Sequence, residues 1–348
     1  MNSSLGFHTL SLSLPLTCQD IQPLIRDFRT YSQNTGLIQI FHKGMRGKFS
    51  EYNPSHSFEY VLPTNLEVRY HKKDRGITWN IYSNCCGTDH SSYMVEAKIN
   101  PKILGGIIDY ITAATYGDMN VAIPNFNQEA KRISPLLKSF ECYKINRIDY
   151  CINFDIGELT DGCSPELVMN LIRRGDIPPN YEEWTVYDDI AHRKKSKPGS
   201  FYLINSSANV NCYSKYMQLQ DRSHKNLLSG FPPIPQATFD AAKNIIRFEV
   251  QYKYHKMYTL SKTVEKSGNH SFNKYKDLLT PDACSNAVNS YFDRVVGKGD
   301  WHTLPDAVRI VKSCNYNCQK EKRLIDALYL VSQCRSIPKA KEACQKSS

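Results

Sequence analysis

The chain has 348 residues, which is enough for one large core or for two domains. Hydrophobic residues make up 41% and charged residues 22% of it, a composition that is typical of a globular protein and argues against long disordered regions. No stretch approaches the roughly 18 apolar residues of a membrane helix. The N-terminal segment, residues 1–16, has no basic residues before its apolar ones, and Ser11 and Ser13 interrupt the apolar run. We therefore expect no secretory signal and a cytoplasmic protein without membrane contacts.

The net charge of +10 favours a polyanionic partner, which could be DNA, RNA or an acidic membrane surface, although a merely soluble basic protein is about equally compatible with charge alone. Part of the excess is concentrated between His192 and Gly199. A basic loop there could bind the phosphate groups of a nucleic acid without contacting its bases. Alternatively, it could be a solvated connection between two elements. The candidate DNA-binding residues of this loop are Arg193, Lys194, Lys195 and Lys197.

The twelve cysteines favour reduced thiols over a disulfide framework, because the chain is long and lacks a secretory signal. Cys85 and Cys86 are adjacent, and Cys314 and Cys318 are four residues apart. Neither spacing is a zinc signature, so buried structural thiols are favoured over a zinc site.

The first third of the chain predicts mainly strands. Between Thr9 and Leu16 every second residue is leucine, which predicts a strand, and Pro15 indicates an edge strand or a strand end. A short helix is expected from Thr17. Further elements are predicted at Leu66–Tyr70 and Ile77–Tyr82 (a hairpin turning at Lys73–Gly76), Tyr93–Ile99 (a third strand) and Asn125–Phe140 (a helix).

The clearest alternation runs from Tyr143 to Ile156 and predicts a strand with one apolar and one polar face. The polar face carries Arg147, Asp149, Cys151, Asn153 and Asp155. A helix is then predicted from Ser164, an N-cap followed by Pro165, to about Arg173–Gly175.

Two more alternating strands are predicted at Val210–Lys215 and Ile245–Lys253. The first has Asn211, Tyr213 and Lys215 on one face, and the second has Arg247, Glu249, Gln251 and Lys253 on its polar face. The predicted fold class is α+β, with a mostly antiparallel sheet and helices packed on one face, followed by a small all-α C-terminal domain.

From about Leu260 the periodicity changes to that of helices, at Pro281–Val296, Leu304–Ser313 and Glu321–Gln333. We therefore predict an α+β nicking and DNA-binding domain at 1–262 and a helical domain at 263–348. The last helix, a turn at Arg335–Pro338 and a short basic helix could form a helix-turn-helix, but a plain helical hairpin is favoured.

The three polar strand faces together suggest phosphoryl-transfer chemistry. Asp149 and Glu249 could hold Mg²⁺ or Mn²⁺, which often need only one or two carboxylates beside phosphate and water. The cation would polarise a phosphate that Tyr213 attacks, with Lys215 helping to stabilise the phenolate. Asp155 would lie roughly 20 Å and Asn153 roughly 13 Å from Asp149 along a continuous strand, too far to share the ion.

Three segments resemble the replication initiation factor family, the rolling-circle initiators of small plasmids and related mobile elements, and the related filamentous-phage nickases. They are Arg147-Ile148-Asp149, Cys212-Tyr213-Ser214-Lys215 and Ile246-Arg247-Phe248-Glu249. The resemblance implies Tyr213 as nucleophile, Asp149 and Glu249 as metal-site acids, and Lys215 and Arg247 as phosphate contacts. It also implies a nick at a replication origin, a 5′-phosphotyrosyl link, a free 3′-hydroxyl and recruitment of a host helicase; a homodimer is plausible.

The chain departs from the family pattern at two positions. Asn211 stands where an arginine precedes the tyrosine, and Asn153 stands where an acid often follows the first aspartate. Either departure is compatible with an inactive member, and Tyr216 is a reserve nucleophile. The alternatives are therefore a non-catalytic DNA-binding protein, such as a repressor or a decayed initiator, and an RNA-binding sheet, which the acidic polar faces disfavour.

Overall fold

The computed structural model of the chain describes residues 4–42, 65–84, 92–157, 164–172, 177–178, 180–184, 186–188, 193–195, 200–228, 230–266, 275–296, 302–334 and 337–347. Its strands are β1 (Ser4–Leu16), β2 (Ile38–His42), β3 (Asn65–Tyr70), β4 (Ile77–Asn84), β5 (Ser92–Ile99), β6 (Lys144–Asp155), β7 (Glu182–Glu183), β8 (Val186–Asp188), β9 (Arg193–Lys195), β10 (Ser200–Ile204), β11 (Ala208–Ser214) and β12 (Ile245–Tyr252). Its helices are α1 (Cys18–Thr35), α2 (Pro101–Leu104), α3 (Met119–Ile133), α4 (Pro165–Ile172), α5 (Lys215–Leu228), α6 (Gln236–Ala242), α7 (Tyr254–Lys266), α8 (Tyr275–Leu278), α9 (Pro281–Val295), α10 (Leu304–Ser313), α11 (Cys318–Cys334) and α12 (Ile337–Ser347).

Ten strands form one antiparallel sheet in the order β2-β3-β4-β5-β1-β6-β12-β11-β10-β7. β8 and β9 pair separately as a two-stranded ribbon. A large antiparallel sheet with helices beside and after it confirms the predicted α+β class. Within the described part of the chain, none of the helices has the length and apolar character needed to cross a membrane.

The main hydrophobic core lies on one face of this sheet. In the N-terminal half, Trp79 of β4 is fully buried, with its ring near Phe28 of α1 and Phe126 of α3. In the other half, Phe292 of α9 contacts Phe154 and Phe248 on β6 and β12. The alternating apolar residues of the sequence therefore point to the helix-covered face, as predicted.

Several local signals are confirmed. The turn between β3 and β4 contains Gly76, whose φ of 70° is in the left-handed region, and Asp74 Oδ1 accepts a hydrogen bond from its backbone N–H at 2.8 Å. Ser164 Oγ accepts from the backbone N–H of Leu167 at 3.2 Å, as an N-cap does. The predicted end of that helix at 173–175 lies outside the described residues.

β1 is a central strand between β5 and β6, so Pro15 marks a strand end, as one of the two predicted alternatives has it, and not an edge strand. Two helix boundaries were predicted wrongly. α1 has 18 residues and is not short. α3 ends at Ile133, because Ser134 is extended and precedes Pro135, and proline disfavours the helical conformation in the residue before it.

The C-terminal helices differ in what they contact. Leu278, Val288 and Tyr291, from α8 and α9, belong to the main core, and the Tyr150 hydroxyl donates to the Leu278 carbonyl at 2.8 Å. α10, α11 and α12 follow and contact one another in chain order. The division into 1–262 and 263–348 and the helix-turn-helix stay predictions.

Candidate functional site

The two predicted acids lie on neighbouring strands of the sheet. Glu249 of β12 pairs with Cys151 of β6, so Asp149, two residues before Cys151, is the diagonal neighbour of Glu249 on the same face. Diagonal neighbours in an antiparallel pair are about 7–8 Å apart, and their side chains can meet. The sheet register therefore brings both carboxylates to one spot on the polar face.

The same spot opens into a cleft of about 470 Å³. Strands β1, β6, β10, β11 and β12 and the first turns of α5 form its walls. Its lining comprises His8, Thr9, Arg147, Asp149, Trp184, Ser200, Tyr202, Asn211, Tyr213, Ser214, Met217, Gln218, Asp221, Glu249 and Gln251.

A β-bulge in β1 adds a histidine that the sequence did not suggest. Phe7 pairs with Tyr150 and Leu10 pairs with Ile148, so His8 and Thr9 together face the single residue Asp149. His8 Nδ1 lies 3.9 Å from Glu249 Oε2. Burial, and then the positive charge of Arg247, hold the pKa of His8 well below its usual 6.5, so the imidazole is neutral at neutral pH.

Asp149 is held by a bidentate ion pair. Arg147 donates from Nε to Oδ1 at 2.7 Å and from Nη2 to Oδ2 at 2.6 Å. The Asp149 side chain is 2% exposed and that of Arg147 is 31% exposed, so the guanidinium forms part of the cleft wall. This geometry fixes the carboxylate strongly.

Tyr213 and Glu249 form a second pair. The Tyr213 hydroxyl donates to Glu249 Oε2 at 3.3 Å. Burial, and then the charge of Asp149, raise the pKa of Glu249 to about 7. Burial, and then the charge of Glu249, raise the pKa of Tyr213 well above 10. The phenol is therefore protonated at neutral pH and touches a carboxylate that can accept its proton.

Lys215 and Arg247 lie behind the cleft and not in its lining. Both are fully buried. β11 ends at Ser214 and Lys215 begins α5, so the prediction that Lys215 belongs to the strand face was wrong. Arg247 Nε donates to Asn153 Oδ1 at 2.8 Å and Lys215 Nζ donates to Gln218 Oε1 at 3.1 Å, which holds both cations in place. Burial, and then Arg247, lower the pKa of Lys215. The structure therefore does not place either side chain as a direct phosphate contact in the cleft.

The donor set for a divalent cation consists of the two carboxylates. Within the described residues there is no group of three or more histidine, cysteine or acidic side chains placed to hold an ion. Burial is the main cause of the raised pKa of Glu249, and the negative charge of Asp149 adds to it. A hard cation between Asp149 and Glu249 would offset their negative charge, with water and phosphate as further ligands.

The other candidates lie elsewhere. Tyr216 of α5 is not in the cleft lining, and its ring is 6.0 Å from that of Phe239 in α6. Asn153 is 4% exposed and hydrogen-bonded to Arg247 and to the Ile111 carbonyl, and β6 ends at Asp155.

Three of the described cysteines, Cys151, Cys212 and Cys284, are buried thiols, whereas Cys314 and Cys318 are exposed.

The basic segment forms β9, Arg193–Lys195, which pairs with β8. The positions of its side chains, and Lys197, lie outside the described residues, as do Cys85 and Cys86.

Sequence reasoning missed several residues of the cleft. His8 and Thr9 arise from a bulge, which leaves no mark in the alternation of Leu10–Leu16. Trp184 comes from the segment just after the two-residue strand β7, which is too short for a periodicity, and Gln218 lies on a helix. Gln251 was assigned to the correct strand face, but only as a polar residue.

No family model and no curated protein matches the chain. One solved structure resembles it. This is a rolling circle replication initiator protein from Geobacillus stearothermophilus, with 10% sequence identity over 76% of this chain and 80% of that chain. Its TM-score of 0.30 is too low to decide fold or function.

Proposed function

We propose that the chain is a rolling-circle replication initiator that nicks DNA with Tyr213 as nucleophile and Mg²⁺ or Mn²⁺ as cofactor. The observation that carries the proposal is the meeting of one phenol and two acids in a single cleft. The Tyr213 hydroxyl is 3.3 Å from Glu249, and Asp149 is the diagonal neighbour of Glu249. A merely solvated sheet face would not bury these three groups together.

The reaction exchanges one phosphodiester bond for another. The Tyr213 oxygen attacks the phosphorus, the bond to the 3′-oxygen breaks, and a 5′-phosphotyrosyl link and a free 3′-hydroxyl result. Glu249 accepts the phenol proton, and the leaving 3′-oxygen takes a proton from water. A bound divalent cation supplies Lewis-acid stabilisation of the phosphate charge.

The cationic residues have separate tasks in this scheme. Arg147, at 31% side-chain exposure, can contact a phosphate while it orients Asp149. Arg247 lies behind the cleft, and its positive charge favours the phenolate, because it acts to lower the pKa of Tyr213 against the dominant effect of burial. Arg193, Lys194, Lys195 and Lys197 are proposed as sequence-independent contacts to the DNA backbone.

Relaxation of supercoiled DNA tests the proposal. We expect the wild-type protein to relax it with Mn²⁺ or Mg²⁺ and not with a chelator. Tyr213→Phe should abolish relaxation, because the nucleophilic oxygen is gone. Tyr216→Phe is the matched control and should retain it, because Tyr216 packs against Phe239 outside the cleft. Equal activity of Tyr213→Phe and wild type would refute the role of Tyr213.

A non-catalytic DNA-binding protein is the second candidate, and two observations favour it. Tyr213 is only 8% exposed, and both oxygens of Asp149 are engaged by Arg147. A decayed initiator or a repressor could keep the fold and the charge without the chemistry. DNA binding that persists with no relaxation under any divalent cation would decide for this candidate.

A further inference from the structure

The cleft has an aromatic side chain at its entrance. Trp184 lines it and is 41% exposed, so its ring is accessible from the solvent. Its backbone N–H donates to the Tyr202 carbonyl at 2.8 Å, and its ring meets the Tyr202 ring edge-on with centroids 6.2 Å apart. Tyr202 also lines the cleft, so the indole is a fixed platform with a solvent-accessible surface.

Two amide side chains of the same cleft are already oriented. Gln251 Oε1 accepts from Asn209 Nδ2 at 3.0 Å, and Gln218 Oε1 accepts from Lys215 Nζ at 3.1 Å. In the part of the chain that the structure describes, neither Nε2 has a protein partner, so both remain hydrogen-bond donors for a ligand.

Asn209 is itself held in place. Its Nδ2 also donates to the Tyr202 hydroxyl at 2.8 Å, and its Oδ1 accepts from Lys253 Nζ at 3.2 Å. The amide donor of Gln251 and the ring of Trp184 are thereby tied to the same residue, Tyr202. Groups held this way recognise a ligand without a large ordering cost.

We propose that the cleft binds one unpaired nucleobase of DNA beside the phosphate that Tyr213 attacks. The base stacks on Trp184, and its edge accepts hydrogen bonds from Gln218 and Gln251. This inference rests on the proposed function for the identity of the neighbouring phosphate. A cleft of about 470 Å³ has room for a base and its sugar. Because the amides offer donors, they favour a base edge with a carbonyl acceptor at position 4 of thymine or position 6 of guanine over cytosine, whose position 4 carries an amino donor.

Binding of fluorescent single-stranded oligonucleotides tests the platform, with Tyr213→Phe as the parent so that no covalent product forms. Trp184→Ala should weaken oligothymidylate binding about fivefold or more, because loss of one base–aromatic stack has this size. Trp184→Phe should stay within about twofold of the parent. Phe41→Ala is the matched control, since Phe41 is 42% exposed on β2 at the opposite edge of the sheet, and it should bind like the parent. Unchanged binding by Trp184→Ala would overturn the inference.

The base preference tests the amides. The parent should bind oligothymidylate more tightly than oligocytidylate of equal length, and Gln251→Glu should lower this ratio about fivefold, because a donor becomes an acceptor. Taking the ratio cancels the general repulsion of DNA by the new charge. A ratio that does not change would contradict the assigned role of Gln251.

The two proposals fail in different ways. Absence of nicking together with weaker binding by Trp184→Ala would refute the nuclease and keep the base site. Nicking together with unchanged binding by Trp184→Ala would support the nuclease and refute the base site.

Discussion

The ion pair between Arg147 and Asp149 should be one of the strongest polar couplings in the protein. Two charge-assisted hydrogen bonds of 2.7 and 2.6 Å join the side chains. Each such bond contributes about 1.5–3 kcal/mol, and loss of one partner of a buried pair costs about 3–5 kcal/mol. Because the Arg147 side chain is 31% exposed and can rehydrate, we expect a coupling energy near the low end, about 2 kcal/mol.

A double-mutant cycle measures this coupling. Urea unfolding of the wild type, Arg147→Met, Asp149→Asn and the double variant gives the four free energies of unfolding. With a slope of about 2–3 kcal/mol per molar urea, Asp149→Asn should lower the midpoint by about 1 M. The exposed pair Arg309–Asp306 of α10 is the control, and its coupling should be below about 1 kcal/mol. Equal couplings for the two pairs would show that burial and bidentate geometry do not strengthen the Arg147–Asp149 pair.

Two further predictions concern stability. Gly76→Ala should lower the free energy of unfolding in urea by about 1–3 kcal/mol, because φ is +70° and the new Cβ would lie 2.6 Å from Leu104 N. Gly36→Ala has a similar φ of +62° but open space around the new Cβ, so it should cost less. The reverse order would show that the contact with Leu104 is not what makes Gly76 necessary. Burial raises the pKa of Glu249 to about 7 from 4.5, so the stability that its protonated form contributes is complete below 4.5 and is lost as pH rises through 7. In the presence of a chelator the wild type should therefore lose about 1 kcal/mol more than Glu249→Gln between about pH 6 and 8, since the opposite contribution from the low pKa of His8 is present in both proteins; parallel pH profiles would show that Glu249 is not the group responsible.

The sequence predicted the strands and their faces well because alternation depends only on which side of a strand meets the core. Asp149, Tyr213 and Glu249 were correctly expected on one polar face. Their burial was not expected, because a polar face normally meets water. Here the strands are central in a ten-stranded sheet, and the Ile111 carbonyl, bonded to Arg247 and Asn153, covers part of that face.

The features that the sequence did not predict have a common physical reason. The bulge at His8 and Thr9 depends on the register between β1 and β6, which are separated by more than a hundred residues of chain. Lys215 alternates correctly with Tyr213, but tertiary packing starts α5 at that residue. Local periodicity contains no information about either feature.

Whether Tyr213 is the nucleophile is tested most directly by mass spectrometry of the protein after incubation with Mn²⁺ and a pool of single-stranded oligonucleotides of random sequence. The pool makes the unknown origin sequence irrelevant. We expect an oligonucleotide joined through its 5′-phosphate to the peptide that contains Tyr213, and we expect this adduct to be lost in Glu249→Gln or with a chelator. An adduct on Tyr216, or none at all while the protein still binds the oligonucleotides, would contradict the assignment of Tyr213 as nucleophile.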